Sequence, residues 1–371
     1  MNSYQKTPNL DKFVMAFAPI EPITMNPIIR ELMAISGARL VYRPKILPQH
    51  LLKAPKWQYW AKIKKKSQVK TPSGDTIYDG IQIIARPGDP IKKAVRLIDN
   101  YASKMAIQFL DLNFCCPGYK VLPKRRGGDL LKDPDSIIQV ISEAMKFTSL
   151  PISIKIRKGF LNSDNPQNLC SRLNKEFGDN LAWIAINRAP VKMDDVDFSL
   201  IKDDFKPFQE ALAGIEGKIP IVANGSIENY NDINIINENV KINGFMIGRA
   251  ALGNPSIFHD ILDSKPVENS TSDVDDFKII SKFEELFNII SKYQNGPSGR
   301  FCSIGEIKKL LFYYIKHSFE SQKKQLPAGY GFSKWNSQRF DSNSLVKALL
   351  KIYPTILEKT WKKWISPIFT K

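Results

Sequence analysis

Eight short β-like runs alternate with helical patterns over the first 260 or so residues of this 371-residue chain. The runs fall at 13–18, 39–43, 80–85, 106–113, 151–157, 181–187, 219–224 and 244–248. Between them lie amphipathic stretches such as 90–104, 134–147 (entered through Asp133-Pro134) and 228–238. Strands that are each followed by a helix lie parallel, because the return crossover needs the helix's length. Eight such units point to a closed barrel rather than an open sheet. The fold class read here is therefore α/β: a (β/α)8 TIM barrel over residues 1–262. A polar stretch at 263–276 reads as a linker. Helical patterns at 277–293, 304–319 and 344–364 make residues 277–371 a smaller all-helical domain.

Barrels of this kind place their chemistry at the C-terminal ends of the strands. The fourth run ends in Asp111-Leu112-Asn113-Phe114-Cys115-Cys116-Pro117, then a loop with Lys120, Lys124, Arg125 and Arg126, closed by Gly127-Gly128. A buried strand here delivers amide and thiol groups to the mouth of the scaffold. On the fifth run the period-two pattern puts Ile152, Ile154 and Ile156 toward the helices and Ser153, Lys155 and Arg157 inside. An interior lysine needs an anionic or electron-rich partner; a core carboxylate such as Asp111 would serve, and so would a ligand. Gln82, a lone amide in an apolar run, also needs partners, and a ligand's amide edge is one source. The seventh run ends in Asn224-Gly225-Ser226 and the eighth in Gly248-Arg249, the latter opening a helix. Backbone N–H groups at a helix start beside a guanidinium suit a phosphate.

Charge narrows the partner. The net charge is +17. Segment 43–70 carries nine Lys/Arg and no Asp/Glu, and segment 300–371 carries fourteen against four, so the whole excess sits in two segments. Confined patches of this kind suit a polyanion such as nucleic acid, or an anionic membrane surface. The stretch 44–74 is long for a βα loop and interleaves lysines with Trp57, Tyr59 and Trp60, which suits phosphates and stacked bases. No apolar run is long enough to span a bilayer, and no hydrophobic signal core opens the chain. The four cysteines have no metal-like spacing, and a disulfide between neighbours would be strained, so reduced thiols in a cytoplasm are expected, with no metal. Cys170 and Cys302 read as structural.

In order along the chain, these motifs resemble the tRNA-dihydrouridine synthase family. Ala18-Pro19-Ile20-Glu21 is similar to its Ala-Pro-Met-Glu signature, and 111–117 to Asp-Leu-Asn-x-Gly-Cys-Pro. Lys155-Ile156-Arg157-x-Gly159, Ala223-Asn224-Gly225 and the closing motif from Met246 to Pro255 match in turn. The resemblance implies reduction of the C5–C6 double bond of a uridine in tRNA, with FMN as cofactor and NADPH as electron donor, in a cytoplasmic protein expected to be a monomer. It implies that Ala18, Pro19, Ile20, Gln82, Lys155, Asn224, Gly225, Ser226, Gly248 and Arg249 contact FMN, that Asn113 and Arg157 face the uridine, and that Cys116 is the proton donor. A thiol, with a reference pKa of about 8.5, is mostly protonated at neutral pH and can still release its proton. The helical tail would bind RNA.

The chain departs from the family pattern at Cys115 (usually Gly), Asn187 (usually His), Ile20 and Pro22 (Met and Gly), and Arg125-Arg126, where small residues are usual. The two arginines would either obstruct the pocket or add phosphate contacts. Two other readings stay open: a flavin-dependent dehydrogenase of a free pyrimidine, of dihydroorotate type, and a non-catalytic RNA-binding descendant.

Overall fold

The structure of the protein, a computed structural model, describes residues 14–20, 24, 27–53, 76–192, 201–255 and 257–262. Eight parallel strands close in chain order: β1 (Val14–Phe17), β2 (Leu40–Tyr42), β3 (Tyr78–Ile83), β4 (Phe109–Asn113), β5 (Ile152–Arg157), β6 (Leu181–Asn187), β7 (Ile221–Asn224) and β8 (Gly244–Ile247). β8 pairs back onto β1, so the sheet has no free edge. Between and after them come α1 (Pro27–Ile35), α2 (Pro48–Lys53), α3 (Ile91–Met105), α4 (Pro134–Met145), α5 (Gln167–Phe177), α6 (Lys206–Ile215), α7 (Tyr230–Asn239), α8 (Arg249–Gly253) and α9 (Ile257–Leu262). The fold is the (β/α)8 barrel that the alternation implies. The linker at 263–276, the helical domain at 277–371 and Cys302 lie outside the described residues, as does 54–75 with its aromatics.

Element ends follow local chemistry. Asp133 caps α4 by accepting from Ser136 N, with Pro134 in the first turn. Asn229 and Asp232 form a reciprocal capping box at the start of α7. The apolar run at 106–113 is not all strand. Ala106 takes a left-handed φ of 51° and caps α3 through its N–H to Ala102 and Ser103 carbonyls, so β4 begins only at Phe109. The stretch 44–74 is likewise not one insertion from its first residue. Ile46 bridges Ile83 in parallel, and α2 forms directly afterwards. Arg43, counted in the basic segment, is buried: its guanidinium pairs with Asp79 at 3.1 Å and donates to the Met105 carbonyl at 2.7 Å.

Aromatic side chains fill part of the core. Tyr42, Phe109 and Trp183 are fully buried, with Phe109 edge-on to both rings at centroid distances of 5.1 and 4.9 Å. Trp183 Nε1 donates to the Tyr42 hydroxyl at 3.2 Å. Gly80 makes this packing possible, since a Cβ there would fall 2.0 Å from the Phe109 ring. The register then sets polar residues side by side: Gln82, Asp111 and Ser153 are cross-strand neighbours, as are Asn113 and Lys155.

Candidate active site

Asp111 is fully buried and accepts two hydrogen bonds, from Ser153 Oγ at 2.6 Å and from Gln82 Nε2 at 2.7 Å. Gln82 Oε1 accepts from Asn113 Nδ2 at 2.8 Å. Asn113 Oδ1 in turn accepts from the backbone N–H groups of Cys115 and Cys116 at 3.0 and 2.9 Å. A continuous hydrogen-bonded chain thus runs from the barrel interior to the thiol loop. Burial, which disfavours the charged carboxylate, pushes the Asp111 pKa up to about 7, against the opposing pull of Ser153, Gln82 and Lys155.

The loop after β4 is held from its other sides too. Gly128 N donates to the Cys116 carbonyl at 3.1 Å. Gly127 has a φ of 60°, and a Cβ there would lie 2.9 Å from the same carbonyl oxygen. Arg157 Nε donates to the Cys115 carbonyl at 2.9 Å, and its Nη1 donates to the Pro190 carbonyl at 2.7 Å. The expected substrate-facing arginine therefore also braces two rim loops. Cys116 is half-exposed, whereas Cys115 is buried. Of the two thiols, the one next to Pro117 is the accessible one.

Lys155 is buried, and its Nζ reaches Asn224 Oδ1 at 2.5 Å and Met246 Sδ at 3.2 Å. Asp111 is not its hydrogen-bonding partner. Burial lowers the Lys155 pKa, with the nearby Cys115 and Asp111 opposing and Arg157 adding to the fall. Asn224 is fixed from three sides, since its Nδ2 donates to the Met246 carbonyl at 2.7 Å and its Oδ1 also accepts from Asn187 Nδ2 at 3.0 Å. Asn187 spends its own oxygen on Ala189 N at 3.0 Å. The residue at this position thus braces β6 against β7. Gly225 follows with a φ of 105°, where a Cβ would meet Asn187 Oδ1 at 2.9 Å, and Ser226 is also left-handed at 50°.

Ala18, Pro19 and Ile20 leave β1 beside Gly248 and the exposed Arg249 at the end of β8, because Ala18 N donates to the Ile247 carbonyl at 2.8 Å. A Cβ on Gly248 would stand 3.4 Å from Ala18 Cβ and 3.5 Å from Ile20 Cδ1. The rim therefore brings all the expected residues to one end of the barrel, on β1, β3, β4, β5, β7, β8 and the loops that follow them.

The arginines after Cys116 behave differently from each other. Arg126 is buried, its Nε and Nη2 donating to Asp89 Oδ2 and Oδ1 at 2.9 and 2.5 Å. Arg125 is 70% exposed and lies 3.9 Å from Asp133. Held by the buried Asp89, the Arg126 guanidinium is not presented to solvent for a phosphate. Ser153 and Asp89 are site-supporting residues that reading the sequence left without a role, and Asp111, read there as a possible partner of Lys155, holds Gln82 instead. Asp111 and Ser153 could have been found as inward-facing polar neighbours of Gln82 in the barrel register. Asp89 left no comparable signal. Among the described residues no cluster of His, Cys, Asp or Glu could hold a metal ion, and no helix is long and apolar enough to cross a membrane.

Fold and rim together define a parallel eight-stranded βα barrel with a buried lysine–amide floor and a thiol-bearing loop at its mouth. Residues 16–325 match the family described as Dihydrouridine synthase, and the chain belongs to that family. It is similar to a probable tRNA-dihydrouridine synthase of Aquifex aeolicus, 28% identical over 239 residues, which are 64% of this chain and 69% of that protein. It is also similar to the tRNA-dihydrouridine synthase B of Vibrio vulnificus, 27% identical over 248 residues, covering 66% of this chain and 69% of that one. With the Pasteurella multocida tRNA-dihydrouridine synthase B it shares 28% identity over 182 residues, 48% of this chain and about half (51%) of that protein.

Proposed function

We propose that the protein reduces the C5–C6 double bond of a uridine in tRNA, with FMN bound at the rim and Cys116 as the proton donor. The observation that carries this reading is the grip on Cys116. Asn113 holds its N–H and Gly128 its carbonyl, presenting a half-exposed thiol on the loop that follows the strand next to that of buried Lys155. The residues fit a flavin. Among the described residues the Lys155 ammonium, a group with three donors, has one oxygen acceptor and one thioether, so an electron-rich ring edge suits it. Gln82 and Asn224 would join it at that edge, and Ala18, Pro19, Ile20, Gly225, Ser226, Gly248 and Arg249 would line the rest, the last two at the phosphate.

FMN held there would supply the hydride for uracil C6, with NADPH as the electron source, so that uridine, NADPH and one proton balance dihydrouridine and NADP+. Cys116 delivers the proton to C5 and regains it from solvent. Lys155 offsets negative charge at the ring edge, and Arg157 and Asn113 fix the loop that meets the base. The uridine must leave its stack to enter, and the exposed Lys120, Lys124 and Arg125 around the mouth suit its phosphates.

The test is turnover of unmodified tRNA by the purified full chain with NADPH, quantifying dihydrouridine and NADP+. Equal yields of both, from a protein with an FMN spectrum, support the reading. A colourless protein that binds tRNA would instead mark a non-catalytic descendant, and turnover of free pyrimidine alone would mark a dehydrogenase.

A further inference from the structure

The chain of hydrogen bonds beneath Cys116 has a fixed direction. Backbone N–H groups only donate, so Asn113 must turn its oxygen toward Cys115 and Cys116 and its NH2 toward Gln82. Gln82 must then turn its oxygen to Asn113 and its NH2 to Asp111. The chain closes only on a group that accepts, and a carboxylate accepts with both oxygens. We propose that Asp111 is a positioning residue which, as a carboxylate, sets the direction and strength of the Gln82–Asn113 relay and so governs how tightly the loop carrying Cys116 is held. The catalytic meaning rests on the function proposed above; the hold on the loop does not.

The surroundings of Asp111 make this hold sensitive to a proton. It is faced by Gln82 from β3, by Ser153 and the Lys155 charge from β5, and by the phenol of Tyr42 from β2, itself bonded to Trp183 of β6. Burial brings its pKa to about 7. A proton on Oδ1 is accommodated if the Ser153 hydroxyl turns round to accept it. Oδ2 then faces Gln82 as a neutral acceptor, and a charge-assisted bond becomes an ordinary one of roughly half the strength. Each later bond of the relay loses polarisation with it. The loop is thus held more tightly above this pKa than below it.

The bonded N–H groups report the hold directly, through hydrogen–deuterium exchange of the Cys115 and Cys116 amides in the full chain. Exchange is corrected for the intrinsic pH dependence and followed from about pH 6 to pH 8.5. Wild type should gain roughly fivefold protection across a midpoint near the Asp111 pKa. Asp111→Asn keeps the polarity of the relay but carries no charge, so its protection should stay flat at the low-pH level. Ser153→Ala removes a bond that lowers the Asp111 pKa, so its midpoint should move to higher pH. A purely structural role would change the level of protection and leave the midpoint alone. Flat wild-type protection, a surviving rise in Asp111→Asn, or an unmoved midpoint in Ser153→Ala would each overturn the proposal. Should Asp111→Asn not fold, the Ser153→Ala midpoint decides. None of these readings depends on dihydrouridine being made.

Discussion

Arg126 grips Asp89 through two parallel hydrogen bonds, and both side chains are buried. Asp89 also accepts from Gln49 Nε2 at 2.5 Å and from Arg86 N at 3.0 Å, so the pair ties the thiol loop to the turn after β3. An arginine for which a phosphate contact was one reading is a fastener of that loop.

Arg126→Ala leaves a buried carboxylate without its counter-charge and should cost about 3 kcal/mol, read from denaturant unfolding of the full chain. Arg126→Lys should recover only part, having no second prong. Neither variant should alter the salt dependence of tRNA binding, whereas Lys124→Ala, on an exposed side chain, should lower its slope by about one. A slope that fell in Arg126→Ala would place that residue on the RNA after all.

The proton on Asp111 has a sign that thermal melts can read. Its pKa rises from 3.8 in the unfolded reference to about 7 in the fold, so in that window the folded chain keeps a proton the unfolded chain has lost. The resulting stabilisation is full below the lower value and is lost as pH climbs through the upper one. Asp111→Asn lacks this loss. Its stability relative to wild type should therefore rise between about pH 5 and pH 8 by roughly 2–3 kcal/mol, with a matching rise in relative melting temperature. Equal offsets at both pH values would contradict it.

Gly127→Ala tests the other side of the loop. The left-handed backbone costs an ordinary residue about 1–2 kcal/mol, and the new Cβ would press on the Cys116 carbonyl oxygen. The account expects a loss of stability of about that size with a larger fractional loss of turnover. Undiminished turnover would mean that the position of the Cys116 carbonyl does not matter to the reaction.

The adjacent thiols should separate cleanly. Cys115→Ala removes a small buried side chain and should be mild in turnover, while Cys116→Ala should keep flavin and lose turnover. Steady-state rates alongside the flavin spectrum decide, and the reverse pattern would move the acid to Cys115.

Much of the barrel was legible because its code is local. Period-two alternation told that Ser153 and Lys155 point inward, and Asp133-Pro134 announced α4 before any contact was known. Strand ends were less legible, as at Ala106, because a left-handed cap can use the same apolar residues as a strand. The rim residues were found through motifs, yet their partners were not. Lys155 chose Asn224 over Asp111, and Asn187 chose Asn224 over solvent, because barrel closure decides which side chains meet across strands. Arg126 was misplaced for the same reason: its partner Asp89 lies 37 positions away and looks like any loop aspartate.

The most direct measurement is a dihydrouridine map of tRNA from cells lacking this chain, complemented with wild type or with Cys116→Ala. The account predicts that at least one uridine position loses its dihydrouridine in the deleted cells, regains it with wild type and stays unmodified with Cys116→Ala. An unchanged map in the deleted cells would contradict it.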